Sequence, residues 1–307
     1  MKTFIDFDDA PVVAIPVTAG FGESAVRECA LIEGPQGWGE FSPPPDVDDA
    51  TPWMTAAVEP GTVGWPDPVR GRIAVAARVP VVPPAEVGSL VAGHTTVSVT
   101  VGSPNLADDI ARVEAVRDAL GPDGRIRCDA RGAWDVERAA VAIPALERAA
   151  GHLEFVIEPC DKATDLAQLS ASVDVPLADY TGDADILLLD PSALGGVRRA
   201  LRVAERSGKT CVVTTGRETS IGLAAAAALA GALPELPYAC TVSRPPWVTA
   251  DVVSAGRALV PRDGYVPVAP MPPAPDVTLL ERYAITDPAT IARWRARITA
   301  AAATLGT

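Results

Sequence analysis

From about Arg72 onward, short β-branched apolar runs alternate with longer stretches in which apolar residues recur every three or four positions. The runs predict strands over 72–79, 96–101, 125–129, 153–158, 176–179, 185–190, 210–215 and 238–242. The 3.6-residue patterns between them predict helices over 105–120, 136–150, 164–173, 196–207 and 220–233. Gly, Asp or Pro marks most joints, as at Gly121-Pro122-Asp123-Gly124 and Gly195-Gly196. Strand–helix repeats of this spacing imply a parallel sheet, and about eight strands imply an α/β barrel.

One joint breaks the rhythm. Only residues 180–184 separate the fifth run from the sixth, whereas a parallel crossover ordinarily takes a dozen or more. A barrel helix is therefore expected to be deleted there, leaving the wall thin. The first seventy residues read differently, with strands over 12–18 and 27–33, a Gly37-Trp38-Gly39-Glu40 turn, Pro43-Pro44-Pro45 and a short helix over 53–58. A last amphipathic helix over 288–303 starts at Pro288, with Asp287 at its N-cap. The expected division is a capping α+β domain over 1–70, completed by 268–307, and a barrel over 71–267.

Composition narrows the picture. Hydrophobic residues make up 48% of the 307 and charged residues 21%, enough for a large core. A formal net charge of −13 disfavours nucleic acid and anionic membranes as partners. The opening residues meet acid before any apolar run, unlike a secretory signal, and the longest apolar run, 221–233, is too short to span a bilayer. Five scattered cysteines (Cys29, Cys128, Cys160, Cys211, Cys240) fit reduced, buried thiols and a cytoplasmic location. Two histidines and no paired Cys spacing argue against zinc.

Several motifs carry a family likeness. Ala30-Leu31-Ile32-Glu33-Gly34-Pro35, Gly37-Trp38-Gly39-Glu40-Phe41, Gly132-Ala133-Trp134-Asp135, Leu194-Gly195-Gly196-Val197 and Leu233-Pro234-Glu235-Leu236-Pro237-Tyr238 resemble the o-succinylbenzoate synthases of the enolase superfamily. The likeness runs in order from about Arg27 to Pro267. It implies a modified (β/α)7β barrel under an α+β cap, in which a divalent ion and two catalytic lysines on barrel strands remove a proton beside a carboxylate and expel water.

Position by position, this chain departs from that pattern. Ser98 and Thr100 stand where the resemblance implies Lys-x-Lys on the second strand. Asp129-Ala130-Arg131 stands for Asp-Ala-Asn, Ile157-Glu158-Pro159 for Glu-Gln-Pro, and about Tyr180-Thr181-Gly182 for Asp-Glu-Ser. Asp190 takes the place of the second lysine. The chain has only Lys2, Lys162 and Lys209, none placed to substitute. One implied ligand of three remains, so neither a metal nor another cofactor is expected.

The candidate acid–base groups are then Asp129 and Asp190. Ser98, Thr100, Arg131, Thr214, Thr215, Arg217 and Arg244 are the candidates for holding a small carboxylate. Each has a plainer reading: Asp129 as a leftover paired with Arg131, and the arginines as neutralisers of orphaned carboxylates. Three functions stay open at this point. They are a repurposed, metal-independent lyase, isomerase or cyclase acting on a carboxylate-bearing small molecule, a non-catalytic binding or scaffold protein, and a residual o-succinylbenzoate synthase.

Overall fold

The computed structural model describes residues 5–18, 25–216, 218–303 and 305. Its chain opens with an antiparallel meander, β1 (Val12–Pro16), β2 (Val26–Gly34) and β3 (Gly37–Phe41), followed by α1 (Thr51–Thr62). β4 (Arg72–Ala74) and β5 (Ala77–Val79) divide the single run expected over 72–79. The units that follow are α2 (Pro84–Val91), β6 (Thr96–Thr100), α3 (Leu106–Leu120), β7 (Arg125–Asp129), α4 (Val136–Ala150), β8 (Leu153–Ile157) and α5 (Ala163–Ser170). Then come β9 (Leu177–Asp179), β10 (Ile186–Leu189), α6 (Val197–Ser207), β11 (Thr210–Val213) and α7 (Ser220–Ala232). β12 (Tyr265–Pro267), α8 (Val277–Tyr283) and α9 (Pro288–Ala302) complete the order.

β5 to β11 form one curled parallel sheet in sequence order. Its two edges meet around Cys240: Thr241 N–H donates to the Val213 carbonyl, Cys240 N–H to Ala74 and Ala76 N–H to Cys240. The expected strand over 238–242 is thus only a pair of isolated bridges, at Cys240 and Thr241. Strand alternation sends Phe155, Ile157, Ala178, Leu188 and Val212 inward to one another, while Cys128 and Val156 face the surrounding helices. A register shift between Ile126 and Cys128 sets both Glu154 and Phe155 opposite Arg127. The buried Arg127 guanidinium stacks 4.8 Å from the Phe155 ring and donates to the Ala239 carbonyl.

No helix lies between β9 and β10, as the residue count implied. Both strands are short and pair through Ile186↔Ala178 and Leu187↔Asp179, so the chain need retreat only a few ångströms between them. Asp179 turns that retreat into a stable loop: its carboxylate accepts from the N–H groups of Gly182, Asp183 and Ala184 and from the Thr181 hydroxyl. Asp185 closes the other end by accepting from Leu177 N–H at 3.0 Å. Two side chains therefore satisfy backbone groups that a helix would otherwise occupy.

The cap is seated on the barrel by carboxylates. Glu40, at the end of β3, accepts from Thr219 N–H (2.9 Å), the Thr219 hydroxyl (2.6 Å) and Gly222 N–H (3.2 Å), all in the first turn of α7 or just before it. Its other oxygen meets Arg27 at 2.8 Å. Glu59 of α1 does the same for α6, accepting from Val197 N–H at 2.6 Å and Arg198 N–H at 3.0 Å. Each reaches across from another layer to cap a helix whose first N–H groups have no partner within the helix. Gly196 makes the second contact possible: its φ is +110°, and a Cβ there would lie 2.5 Å from a Glu59 oxygen.

α9 closes the cap from below. Trp294, Ile298 and Ala301 recur at helical spacing and pack on Val12, Ile32, Phe41 and Met54. Asp287 caps it by accepting from Thr290 N–H, as its sequence implied. The five cysteines are free and buried. Among the described residues no helix is long and apolar enough to cross a membrane.

Candidate functional site at the barrel mouth

Side chains from the carboxyl ends of the strands converge at one end of the sheet. The inward positions of β6 place Ser98 and Thr100 there, both buried. Beneath them, Arg112 of α3 holds the strand end by donating to the Thr100 carbonyl (3.0 Å) and pairing with the buried Asp109 at 2.8 Å. Asp109 in turn accepts from Gly102 and Ser103 N–H, fixing the loop that leaves β6.

Asp129 ends β7 and is joined by Arg131, which sits at a φ of +53° just beyond it. The Arg131 guanidinium lies 3.8 Å from the Asp129 carboxylate and donates to the Thr100 hydroxyl at 3.2 Å, yet keeps 59% of its side chain exposed. Burial pushes the Asp129 carboxyl above its usual range, and the Arg131 and Arg78 charges oppose that rise. On the neighbouring strand end the inward residue is Ile157, sealed into the barrel interior. Glu158 takes a φ of +45°, and its carboxylate accepts from Tyr180 N–H.

Arg78 is the central cation of the mouth. From β5 it reaches the opposite wall, donating to the carbonyls of Thr215 (2.7 Å), Gly216 (3.2 Å) and Thr241 (2.9 Å) and to the Thr215 hydroxyl (3.0 Å). It thereby bridges the seam where the two sheet edges meet. The Tyr180 side chain, 48% exposed, lies among Thr214, Asp190, Asp129 and Arg78.

Asp190 follows β10 and accepts from Ser192 N–H at 2.8 Å. Its carboxyl is pushed up to about 7, first by burial and next by the Glu218 charge; the Ser192 and Ala193 amides and Arg78 pull the other way. Glu218, buried just before α7, is itself raised by burial, and Arg27 opposes that rise. Among the described residues one Glu218 oxygen is buried without a hydrogen bond. Two carboxyls in one low-dielectric pocket resist ionising together.

The expected residues thus divide. Ser98, Thr100, Asp129, Arg131, Asp190, Thr214 and Thr215 share the mouth. Arg244 is drawn 3.4 Å from Asp251, whose carboxylate also accepts from the Ser220 hydroxyl at 2.6 Å; it serves the loop over α7. Trp247, a few residues on, packs with Val13, Ile15 and Ile221 under the cap. Arg217 lies outside the described residues. Arg78 and Glu218 were not singled out, although a lone charge inside the apolar run Ala76-Ala77-Arg78-Val79 was a signal for the first. Among the described residues no three His, Cys, Asp or Glu side chains cluster so as to hold a metal ion.

Known proteins match this architecture. Residues 84–179 match the family described as enolase C-terminal domain-like, and residues 12–61 the one described as enolase N-terminal domain-like. The o-succinylbenzoate synthase of Thermobifida fusca (strain YX) is 42% identical over 311 aligned positions, covering 94% of this chain and 95% of that protein. The o-succinylbenzoate synthase of Mycobacterium tuberculosis (strain ATCC 25177 / H37Ra) is 36% identical, covering 86% and 85%. Among solved structures, muconate lactonizing enzyme from Pseudomonas fluorescens, complexed with muconolactone, superposes with a TM-score of 0.77 at 18% identity, over 93% of this chain and 100% of that one. The L-Ala-D/L-Glu epimerase from Bacillus subtilis gives a TM-score of 0.73 at 21% identity, over 90% and 99%.

Proposed function

We propose, from the premise that the chain belongs to the enolase superfamily and within it to the o-succinylbenzoate synthase family, that its barrel mouth performs metal-independent acid–base chemistry on a carboxylate-bearing small molecule. The observation that carries this reading is geometric: the Asp190 carboxylate, which burial and the Glu218 charge push upward, is set among Arg78, Tyr180 and the Asp129–Arg131 pair.

A group of that acidity exists in both forms near pH 7, so it can give a proton to a leaving group or take one from carbon. Arg131, mostly exposed, is free to exchange its contact with Asp129 for one with a substrate carboxylate, and its planar fork suits that geometry. Arg78 is fixed in place and supplies positive charge where charge develops. Reactions of this kind are eliminations, isomerisations and cyclisations beside a carboxylate.

The family's divalent ion is a poor match for these residues. Magnesium takes hard oxygen ligands at near-octahedral geometry. Here Asp129 shares its oxygens with a guanidinium, Ile157 ends the next strand, and Asp179 is engaged by its own loop. A cation beside the one remaining carboxylate competes directly with a metal.

A second reading has an observation of its own. Arg78 is held across the mouth by four hydrogen bonds, an arrangement that suits a non-catalytic ligand-binding descendant as well as an enzyme. Calorimetric titration of the metal-free protein with magnesium and manganese, with and without o-succinylbenzoate, separates the cases. Ligand binding without metal is the expected result. Saturable metal binding that strengthens with ligand would overturn the metal-independent reading, and binding of neither would favour the scaffold.

A further inference from the structure

We infer that the groove between α1 and α6 binds a small amphipathic anion, with a carboxylate or phosphate head against the α6 arginines and an apolar body against the cap. The groove is an open depression of about 610 Å³, in the range of roughly 300–1,000 Å³ spanned by ordinary ligand sites. None of the residues placed at the barrel mouth lines it.

Its walls differ in kind. α6 contributes Arg198, Arg199 and Arg202, and the cap contributes Phe7, Val58 and Val63. The lining holds one carboxylate, Glu59, and both its oxygens are already committed to Val197 and Arg198 N–H. Arg198 spends its Nε on the Gly64 carbonyl. Among the described residues Arg199 and Arg202 make no hydrogen bond, and Arg202 acts on Glu59 only through its charge, which with that of Arg198 favours the ionised carboxylate. A chain of net charge −13 therefore gathers three guanidiniums around one occupied carboxylate.

Helix physics makes this placement costly for α6 itself. All three arginines fall in its first two turns, and no acidic residue occupies the first turn. The N-terminal end of a helix carries partial positive charge and favours anions. Arg198 and Arg202 also stand four apart on one face, where like charges repel. Glu59 already supplies one negative charge at that end; an anion in the groove offsets what remains of three positive charges, and the apolar cap wall selects one with a hydrophobic body.

The probe is 8-anilino-1-naphthalenesulfonate, which joins an anionic head to an apolar body and fluoresces when bound. Titrated into the native full chain, it is expected to fill one saturable site, with octanoate and octyl phosphate as competitors that distinguish the two head groups. The Arg199→Gln/Arg202→Gln double variant should bind about tenfold more weakly or worse, while Arg206→Gln, beyond the groove on the same helix, should bind as the parent does. The double variant should melt within a few degrees of the parent, since both arginines are exposed, so that weakened binding reports the site rather than unfolding. Unchanged affinity in the double variant, or no saturable binding to the native chain, would overturn the proposal.

Discussion

Asp190→Asn tests the electrostatics of the mouth most directly. Asparagine keeps the oxygen that accepts from Ser192 N–H and mimics the protonated carboxyl. In the parent, the folded state holds the Asp190 proton up to about pH 7, against an ordinary value of 3.8. Between those values the unfolded chain has released a proton that the folded chain retains, so parent stability falls as pH rises through the window. Above about pH 7 both states are ionised and the whole penalty is present. A difference of about three units at 1.36 kcal/mol each gives a full effect of about 4 kcal/mol, an upper figure for a carboxyl that keeps some contact with solvent. The variant lacks this slope. Urea unfolding of parent and variant at pH 5.5, 6.5, 7.5 and 8.5 should show the variant gaining on the parent by about 2 kcal/mol from pH 5.5 to 7.5, then no further. A gap that stays constant over that range would refute a near-neutral Asp190.

Other substitutions probe the frame around the site. Glu40→Ala removes the cap of α7 and strands the Arg27 charge, which is only 10% exposed; a loss of roughly 3–5 kcal/mol is expected in chemical denaturation. Gly196→Ala drives a Cβ to 2.5 Å from Glu59 at a φ of +110°. It should cost roughly 1–3 kcal/mol from backbone strain alone, and a melting temperature equal to the parent's would contradict the close approach. Asp179→Ala strips the 180–185 loop of its four acceptor contacts. Limited proteolysis should then cut within that loop well before unfolding, whereas an unaltered digestion pattern would show that the loop holds without it.

The alternation of β and α was legible because the barrel strands are buried on both faces and helices such as α4 on one, which leaves two different periods in the sequence; α7, buried nearly all round, showed instead as a continuous apolar run. The missing helix was legible by arithmetic on residues 180–184. The eighth strand was not: Tyr238 to Val242 have strand-like composition, yet the sheet closes through only the bridges at Cys240 and Thr241. The run over 72–79 hid a change of partners, since Ile73 pairs with Val266 in β12 while Ala77 pairs with Val97 in the barrel. At the site, strand alternation brought Asp129, Asp190 and Thr214 together. The pairing of Arg244 with Asp251 was not legible, because Asp251 lies in an irregular loop that no periodicity describes. Arg78 escaped notice because its partners are backbone carbonyls, about 140–160 residues away, which any sequence would supply.

The two cap carboxylates also set a timetable for biosynthesis. Chains emerge from their N-terminus and early portions begin to fold first. Glu40 and Glu59 are therefore made long before the helix ends they complete, 179 and 138 residues downstream. The meander in turn waits for Trp294 and Ile298 of the last helix to cover its open face. The barrel strands and both capped helix ends are complete by residue 267, whereas the meander stays uncovered until α9 is made. A ribosome-stalled fragment ending before residue 288 should hold the barrel strands but leave bare the face of the meander and α1 that Trp294 and Ile298 cover, an apolar surface for chaperones until α9 docks.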